Sequence, residues 1–519
     1  MPLDPQNDPS NPSSDYLAMS ADWTMIADIR AGARVVKARG EKYLPRYENE
    51  SVSSYRKRLE ATPWRPEFVD ALRNLCSKPF SKAVALQGEP SQPIKDLSED
   101  IDGEGNDLHT FARDAFTNGV ADGVTGIYVT YPDAAPARTA AEEKASGVRP
   151  YWVHLDASNI LAVYTIKVNG RDVVQHIRIR ECSVERVGFA EQAFERIRVI
   201  EMTGNGPAWL LFERRYDEAT KETTWPIVAN GVITLPVIPV VLFFTGERSG
   251  TYRVKPPLID MAVMQLEIYR ALSREDEILT YAGSPMLKAK GMSPPEPTPA
   301  PMSYADPDRP GEFIVSRSSA PSAVPQITVG PKTILFAPPS GGGDTDWDFI
   351  QPDAANLTAV SASVDGKITH FRRLAMQPET RQSGNLTATA ASIDAAKAHT
   401  AIEVWANGLK DVLEQAFVFT CQWLKIEENV QVSVHTDFGI DSEGTDEAAN
   451  LITMRGTSDL SQRTLWEELQ RRGILGPQFD PDAEEQRLLE EVPGDPSADD
   501  LGASLTPPAA APDEPSLAP

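Results

Sequence analysis

Cysteine is scarce in this chain of 519 residues: Cys76, Cys182 and Cys421 are odd in number, far apart and in no C-x-x-C pair. A disulfide framework and a zinc site are therefore not indicated, and a reducing setting is expected. Histidine is equally sparse. His109, His154, His176, His370, His399 and His435 each stand alone in their local segment, so each reads as a packed or solvated side chain rather than a metal ligand. No uninterrupted apolar run is long enough to cross a bilayer, and Pro2 to Ser14 hold neither a basic nor an apolar signal region. The expectation is a folded, soluble protein with no membrane partner and no export by that route. The usual catalytic signatures are missing too, with no H-E-x-x-H, no partnered G-x-S-x-G, no Walker loop and no dinucleotide fingerprint. Asp100-Ile-Asp-Gly-Glu-Gly-Asn-Asp has the acids of a calcium loop, but Phe111 stands where a bidentate Glu is needed, so it reads as a turn and cap. Ser340-Gly-Gly-Gly-Asp lacks the Gly-Lys of a phosphate cradle and reads as a hairpin. No catalytic residue, metal or cofactor is expected.

Positive charge is in short supply as well: 50 Lys+Arg face 75 Asp+Glu, for a formal charge of -25. Tight binding of nucleic acid by phosphate neutralisation is disfavoured, whereas a surface past which DNA slides is not. The length suits about three domains, and 41% hydrophobic residues can fill their cores.

The longest ordered pattern lies between Asn385 and Leu424. Ala388, Ala391, Ala395, Ala398, Ile402, Trp405, Leu409, Val412, Ala416, Phe419 and Trp423 recur in steps of three and four, the stripe of a single helix. Asn385 can cap it, and Gly408 alone interrupts it at a cost of about 1 kcal/mol. Its alanine half admits close backbone approach, while its aromatic half needs a thick apolar layer. Before it, helices are predicted at Trp23–Ala38, Glu67–Lys82 and Asp107–Asn118, then a strand at Gly126–Tyr131. From Tyr151 to Phe244 the period is two, which predicts an antiparallel sheet with strands at Ile160–Lys167, Val173–Arg180, Arg196–Met202, Trp209–Tyr216, Thr223–Val228 and Pro236–Phe244. Helix returns at Pro257–Ala282 and Asp353–Met376, flanking a proline-rich module with short strands at Phe313–Ser316 and Thr333–Ala337. A strand, Val430–Phe438, and an acidic helix-prone segment, Thr445–Val492, follow the long helix.

This order, together with Gly40-Glu-Lys-Tyr-Leu-Pro, Tyr55-Arg-Lys-Arg, Gly283-Ser-Pro-Met-Leu, Val329-Gly-Pro-Lys-Thr-Ile-Leu and Leu386-Thr-Ala-Thr-Ala-Ala, resembles the portal proteins of tailed bacteriophages, in a divergent family of short-tailed and related phages. The resemblance implies an α+β portal fold with wing, stem, clip and crown. Its parts would be a disordered tail at 1–15, the wing at 16–255, stem helices at 256–282 and 353–376, and the clip at 283–352. The tunnel loop would be 377–384, the long wing helix and strand 385–444, the crown 445–492, and a second disordered tail 493–519. It also implies a dodecameric ring at one capsid vertex, made in the host bacterial cytoplasm and carried in the virion. Double-stranded DNA would pass through for packaging and ejection, and the partners would be the terminase large subunit, a head-tail adaptor, and major capsid and scaffolding proteins. An acidic channel wall would keep the duplex from sticking. An acidic α+β enzyme with a scattered site, and another ring-forming head-tail adaptor, are the competing readings.

Two sets of residues follow from that placement. Arg372 and Arg373 on the second stem helix, with Gln377, Arg381 and Gln382 on the loop, would face DNA as a basic belt, unless the arginines pair with acids such as Glu275, Asp276 and Glu277. Ile314, Ile334 and Phe336 would be buried between neighbouring chains, because the proline-rich module has too little core of its own.

Overall fold

Ser13, rather than Trp23, starts the first helix. In the computed structural model its hydroxyl accepts the Tyr16 N–H at 3.2 Å and caps α1 (Ser14–Arg30), with Asp15 in the first turn and Arg30 in the last, as the helix dipole favours. Met19, Trp23, Ile26 and Ile29 form its buried stripe. Gly32, at φ 85°, breaks the run expected to continue to Ala38 and leaves a short α2 (Ala33–Ala38). The described residues are 8–132, 148–218, 221–282, 286–290, 302–305, 313–316, 334–337, 346–350, 354–375, 388–436, 451–457, 460–471, 475 and 479–491. The expected disordered tail is therefore built from Asp8 onward: Asp8 accepts from Ser10, and the Ser13 N–H donates to Leu161 O at 3.0 Å.

Four further helices follow, α3 (Val52–Ala61), α4 (Glu67–Ser77), α5 (Gln92–Glu99) and α6 (Leu108–Asp122), with β1 (Ala85–Gln87) between α4 and α5; α4 and α6 pack on α1. Asp107 caps α6 by accepting the Thr110 N–H, and Asp102 holds the preceding turn through Glu104 and Asn106, so the calcium-like stretch is a turn and cap. Gly123, in the left-handed region, ends α6 and turns the chain into β2 (Val124–Thr130).

The region of period two is antiparallel throughout. Strand β3 (Tyr151–Asp156) pairs with β2, and β4 (Ile160–Val168), β5 (Arg171–Val187), β6 (Ala190–Thr203), β7 (Gly206–Glu213) and β10 (Ile227–Val232) form a five-stranded sheet in the order β10-β7-β6-β5-β4. The hairpin of β8 (Arg215–Asp217) and β9 (Glu222–Thr224) interrupts it. Strand β11 (Val240–Phe244) completes a three-stranded sheet, β11-β2-β3, and β12 (Glu247–Arg248) with β13 (Val254–Lys255) leads into α7 (Ile259–Ala282).

Between α7 and α8 (Ala354–Leu374) lie five described strands: β14 (Met286–Lys290), β15 (Met302–Ala305), β16 (Phe313–Ser316), β17 (Ile334–Ala337) and β18 (Asp346–Ile350). Strand β14 pairs parallel with β17 and antiparallel with β18, and β15 pairs with β16. The long helix is α9 (Ala388–Leu424), after which β19 (Gln431–Ser433) pairs with β1. The aromatic half of α9 meets the apolar partners expected for it. Trp152, fully buried in β3, donates to Thr420 Oγ1 at 2.9 Å and meets Phe417 edge-on at 4.8 Å. Trp405 and Trp423 tie the same helix to the carbonyls of Thr245 and Val129. Asn385, its expected cap, lies outside the described residues.

All of this belongs to one compact unit, residues 1–438; a second spans 439–519. In the second, α10 (Gln462–Arg471) and α11 (Pro481–Glu491) are joined by Trp466 against Phe479, by Gln470 donating to Phe479 O at 3.0 Å and by an Arg463–Asp482 ion pair at 3.1 Å.

Candidate nucleic-acid interface on the paired helices

Helices α7 and α8 pack side by side, and their cross-bridges fix the direction. Lys367 Nζ donates to Glu267 at 3.0 Å, and Ser361 Oγ to Glu275 at 2.6 Å. Moving up α7 therefore means moving down α8, so the pair is antiparallel and the strands β14 to β18 depart from and return to the same end. Val364, Ile368, Phe371 and Ala375 form the buried stripe of α8, while His370 and Arg373 lie on its exposed side.

Arg372 is half-exposed and pairs at 3.5 Å with Glu67, at the start of α4, rather than with Glu275, Asp276 or Glu277. The antiparallel register explains this correction. With Glu267 opposite Lys367 and Glu275 opposite Ser361, the three acids lie roughly 15 Å along the helix from Arg372. Lys367 and Arg372 thus each carry an acidic partner, which lowers the positive field of the proposed belt. Gln377, Arg381 and Gln382 lie outside the described residues. In the strand module, Ile334 stands opposite Leu287, Phe336 opposite Ala289, and Ile314 opposite Tyr304, each within this chain.

The base of α7 is held by a polar cluster that sequence reasoning did not assign. Buried Asp28 accepts two bonds from Arg39 Nε and Nη2 at 2.9 and 2.8 Å, and one from the Tyr43 hydroxyl at 2.6 Å. Burial alone would raise the Asp28 carboxyl, but these donors hold it below its usual value, while burial and Asp28 push the Tyr43 phenol up. Tyr43 O then accepts Arg270 Nε at 2.9 Å. Arg58 binds Glu50 through two bonds, stacks on Tyr47 at 4.1 Å and donates to Ser273 at 3.3 Å. Further along, Gln265 accepts the Phe68 N–H and donates to Arg65 O. The segments Gly40-Glu-Lys-Tyr-Leu-Pro and Tyr55-Arg-Lys-Arg are thus the clamp on α7. The only sequence signal was the density of Tyr and Arg there.

Among the described residues, the closest approach to a nucleophilic arrangement is Thr125, His154 and Asp156. Thr125 Oγ1 is 2.8 Å from His154 Nε2, and His154 Nδ1 is 3.7 Å from Asp156. Thr125 is fully buried and its one hydroxyl proton goes to Leu155 O at 2.8 Å, so His154 Nε2 must donate to it. That arrangement does not activate the hydroxyl. Burial lowers the His154 pKa, as befits a neutral structural imidazole. Among the described residues, no group of three or more His, Cys, Asp or Glu is placed to hold a metal ion, and no helix is long and apolar enough to cross a membrane.

The family model described as "Domain of unknown function (DUF4055)" matches residues 257–424, which run from α7 through the strand module and α8 to the end of α9. No curated protein matches the chain. Among solved structures, similar chains occur in the neck of a native gene transfer agent (GTA) particle computed with C12 symmetry, at TM-score 0.38 and 13% identity over 79% of this chain and 90% of that one. A chain of the native GTA virion follows, at TM-score 0.36 and 11% identity over 84% and 98%. The neck of the empty GTA particle computed with C6 symmetry gives 0.37 and 14% over 79% and 90%. These TM-scores lie below 0.5, so the functional reading rests on the elements of the chain itself.

Proposed function

We propose that this chain is a portal-type protein of a tailed phage or phage-like particle. Copies form a ring, a dodecamer in the family it resembles, at one capsid vertex. Double-stranded DNA passes through the ring during packaging and ejection, while terminase, a head-tail adaptor and capsid components dock around it. The role is one of assembly and passage, not catalysis. One observation carries the reading: the antiparallel α7/α8 pair bears an inserted strand module at one end and is followed directly by the long α9. The arrangement of Thr125 and His154 supports the non-catalytic part. Negative-stain imaging and mass photometry of the purified full chain test it. Rings with a central hole are expected, and a protein that stays monomeric across concentration and salt overturns the proposal.

A further inference from the structure

The five-stranded sheet holds a disproportionate share of the apolar surface. Tyr164, Ile166, Val168, Val184, Val187, Phe189, Leu210, Ile227, Val228 and Val232 are exposed, half of the large hydrophobics exposed among the described residues. Its most prominent part is the end of the β5–β6 hairpin. Strand β4 pairs with β5 only as far as Ile179, and β7 pairs with β6 only from Arg196 onward. Between them, Cys182–Val187 pair with Ala190–Glu195 and neither run pairs with any other strand, which leaves a two-stranded ribbon on the order of 20 Å long. Such a ribbon is marginal in water without a further layer. At its tip Phe189 is 104% exposed, with Val184 at 60% and Val187 at 58%.

Charge points to what covers it. Residues 160–232 contain ten Lys/Arg and ten Asp/Glu, hence no net charge, inside a chain of -25. Many of these charges are paired within the sheet, as in Arg198 with Glu181, Arg196 with Glu185 and Glu213, and Arg214 with Glu195. Two copies of so acidic a chain repel one another over most of their surface. A self-neutralised, apolar face is where they can approach without that cost.

We infer that the β5–β6 finger, with Phe189 at its tip, is a contact by which one copy of this chain docks on another. The inference deepens the portal reading and rests on it. The sequence supplies a reporter, because Cys182 is exposed on the finger whereas Cys76 and Cys421 are buried. Burial raises the Cys76 thiol to about 12 and also raises that of Cys421, so alkylation reads Cys182.

The test compares the maleimide labelling rate of Cys182 in dilute monomer and in the assembled full chain, with mass photometry reporting assembly. Assembly should slow labelling at least ~10-fold, as expected for a thiol covered at an interface. Phe189→Ser should raise the concentration needed for assembly by roughly 10-fold or more, the loss of one buried aromatic anchor, while Phe189→Leu recovers most of it. The monomer's unfolding midpoint should not move in either variant, since Phe189 touches no core. Rings whose Cys182 labels at the monomer rate overturn this inference and leave the portal reading standing. Protection that appears only on adding another virion protein also overturns it, because the occupant is then not a second copy. A wild-type chain that never assembles overturns both.

Discussion

Arg58 closes on Glu50 through two hydrogen bonds, 2.8 and 2.7 Å, with both side chains less than a tenth exposed. This pair sits between the Pro45 turn and Ser273 of α7, so it joins the first third of the chain to the helix leading into the strand module. Removing one member leaves the other buried without its counter-charge.

Arg58→Ala should therefore destabilise the fold by about 3 kcal/mol in urea denaturation, the usual cost of breaking a buried pair. Arg58→Lys should recover little, because an ammonium cannot reproduce the two-point contact with Glu50, the bond to Ser273 and the stacking on Tyr47. The control is Arg113→Ala, whose exposed pair with Asp114 contributes well under about 1 kcal/mol. Equal losses at the two sites would sink the clamp assignment.

A second expectation concerns pH. Burial raises the Asp122 carboxyl from 3.8 to about 6, and its place at the C-terminus of α6 adds an unfavourable dipole. The unfolded chain releases this proton near 3.8 and the folded chain near 6, so between those values the folded state holds more protons and loses stability as pH rises. Asp122→Asn should remove that slope and make the protein more stable at pH 8 by roughly 1–3 kcal/mol, as chemical denaturation at several pH values would show. A variant less stable than wild type at pH 8 would contradict the assignment.

Two glycines test packing against propensity. In both α6 and α8 a Gly-to-Ala change gains about 1 kcal/mol of helix propensity. A Cβ on Gly119 would lie 2.6 Å from the Phe243 ring, whereas one on Gly366 meets nothing within 4 Å. Overpacking a buried ring costs about 1–3 kcal/mol and wins at the first site. Gly119→Ala should lower the melting temperature of the monomer, and Gly366→Ala should raise it.

How much of this was legible in the sequence depends on the range of the contact. Helix α9 could be placed because its periodicity is a local property repeated over many turns. The antiparallel class of residues 151–244 was likewise written in the alternation. The start of α1 was missed because Ser13 and Asp15, a cap and a first-turn acid, stand among prolines that read as tail. The finger was missed for the opposite reason: Glu181, Glu185 and Glu191 make Cys182–Glu195 look like a solvated loop, although Arg198 and Arg196, the partners of Glu181 and Glu185, lie across the hairpin. The partner of Arg372 could not be read at all, since Glu67 lies about three hundred residues earlier and only the register of α7 on α8 excludes the acids at 275–277.

That ion pair gives the last prediction, which depends on the portal reading. If α8 faces passing DNA, Arg372 is restrained by Glu67, and weakening the restraint should strengthen phosphate contact. Glu67 is the less exposed partner, 14% against 39% for Arg372, so Glu67→Gln leaves the arginine free to turn outward with little loss of packing. In assembled rings, the affinity for linear duplex DNA should rise at low salt, and the slope of log affinity against log salt should steepen by about 0.9 per arginine released. Arg372→Ala should flatten that slope while costing the fold no more than about 1 kcal/mol, as expected for a half-exposed pair. The double variant should match Arg372→Ala alone. An unchanged slope in all three variants would leave Arg372 as a strut between α8 and α4, and would move any phosphate contact to residues beyond the end of α8.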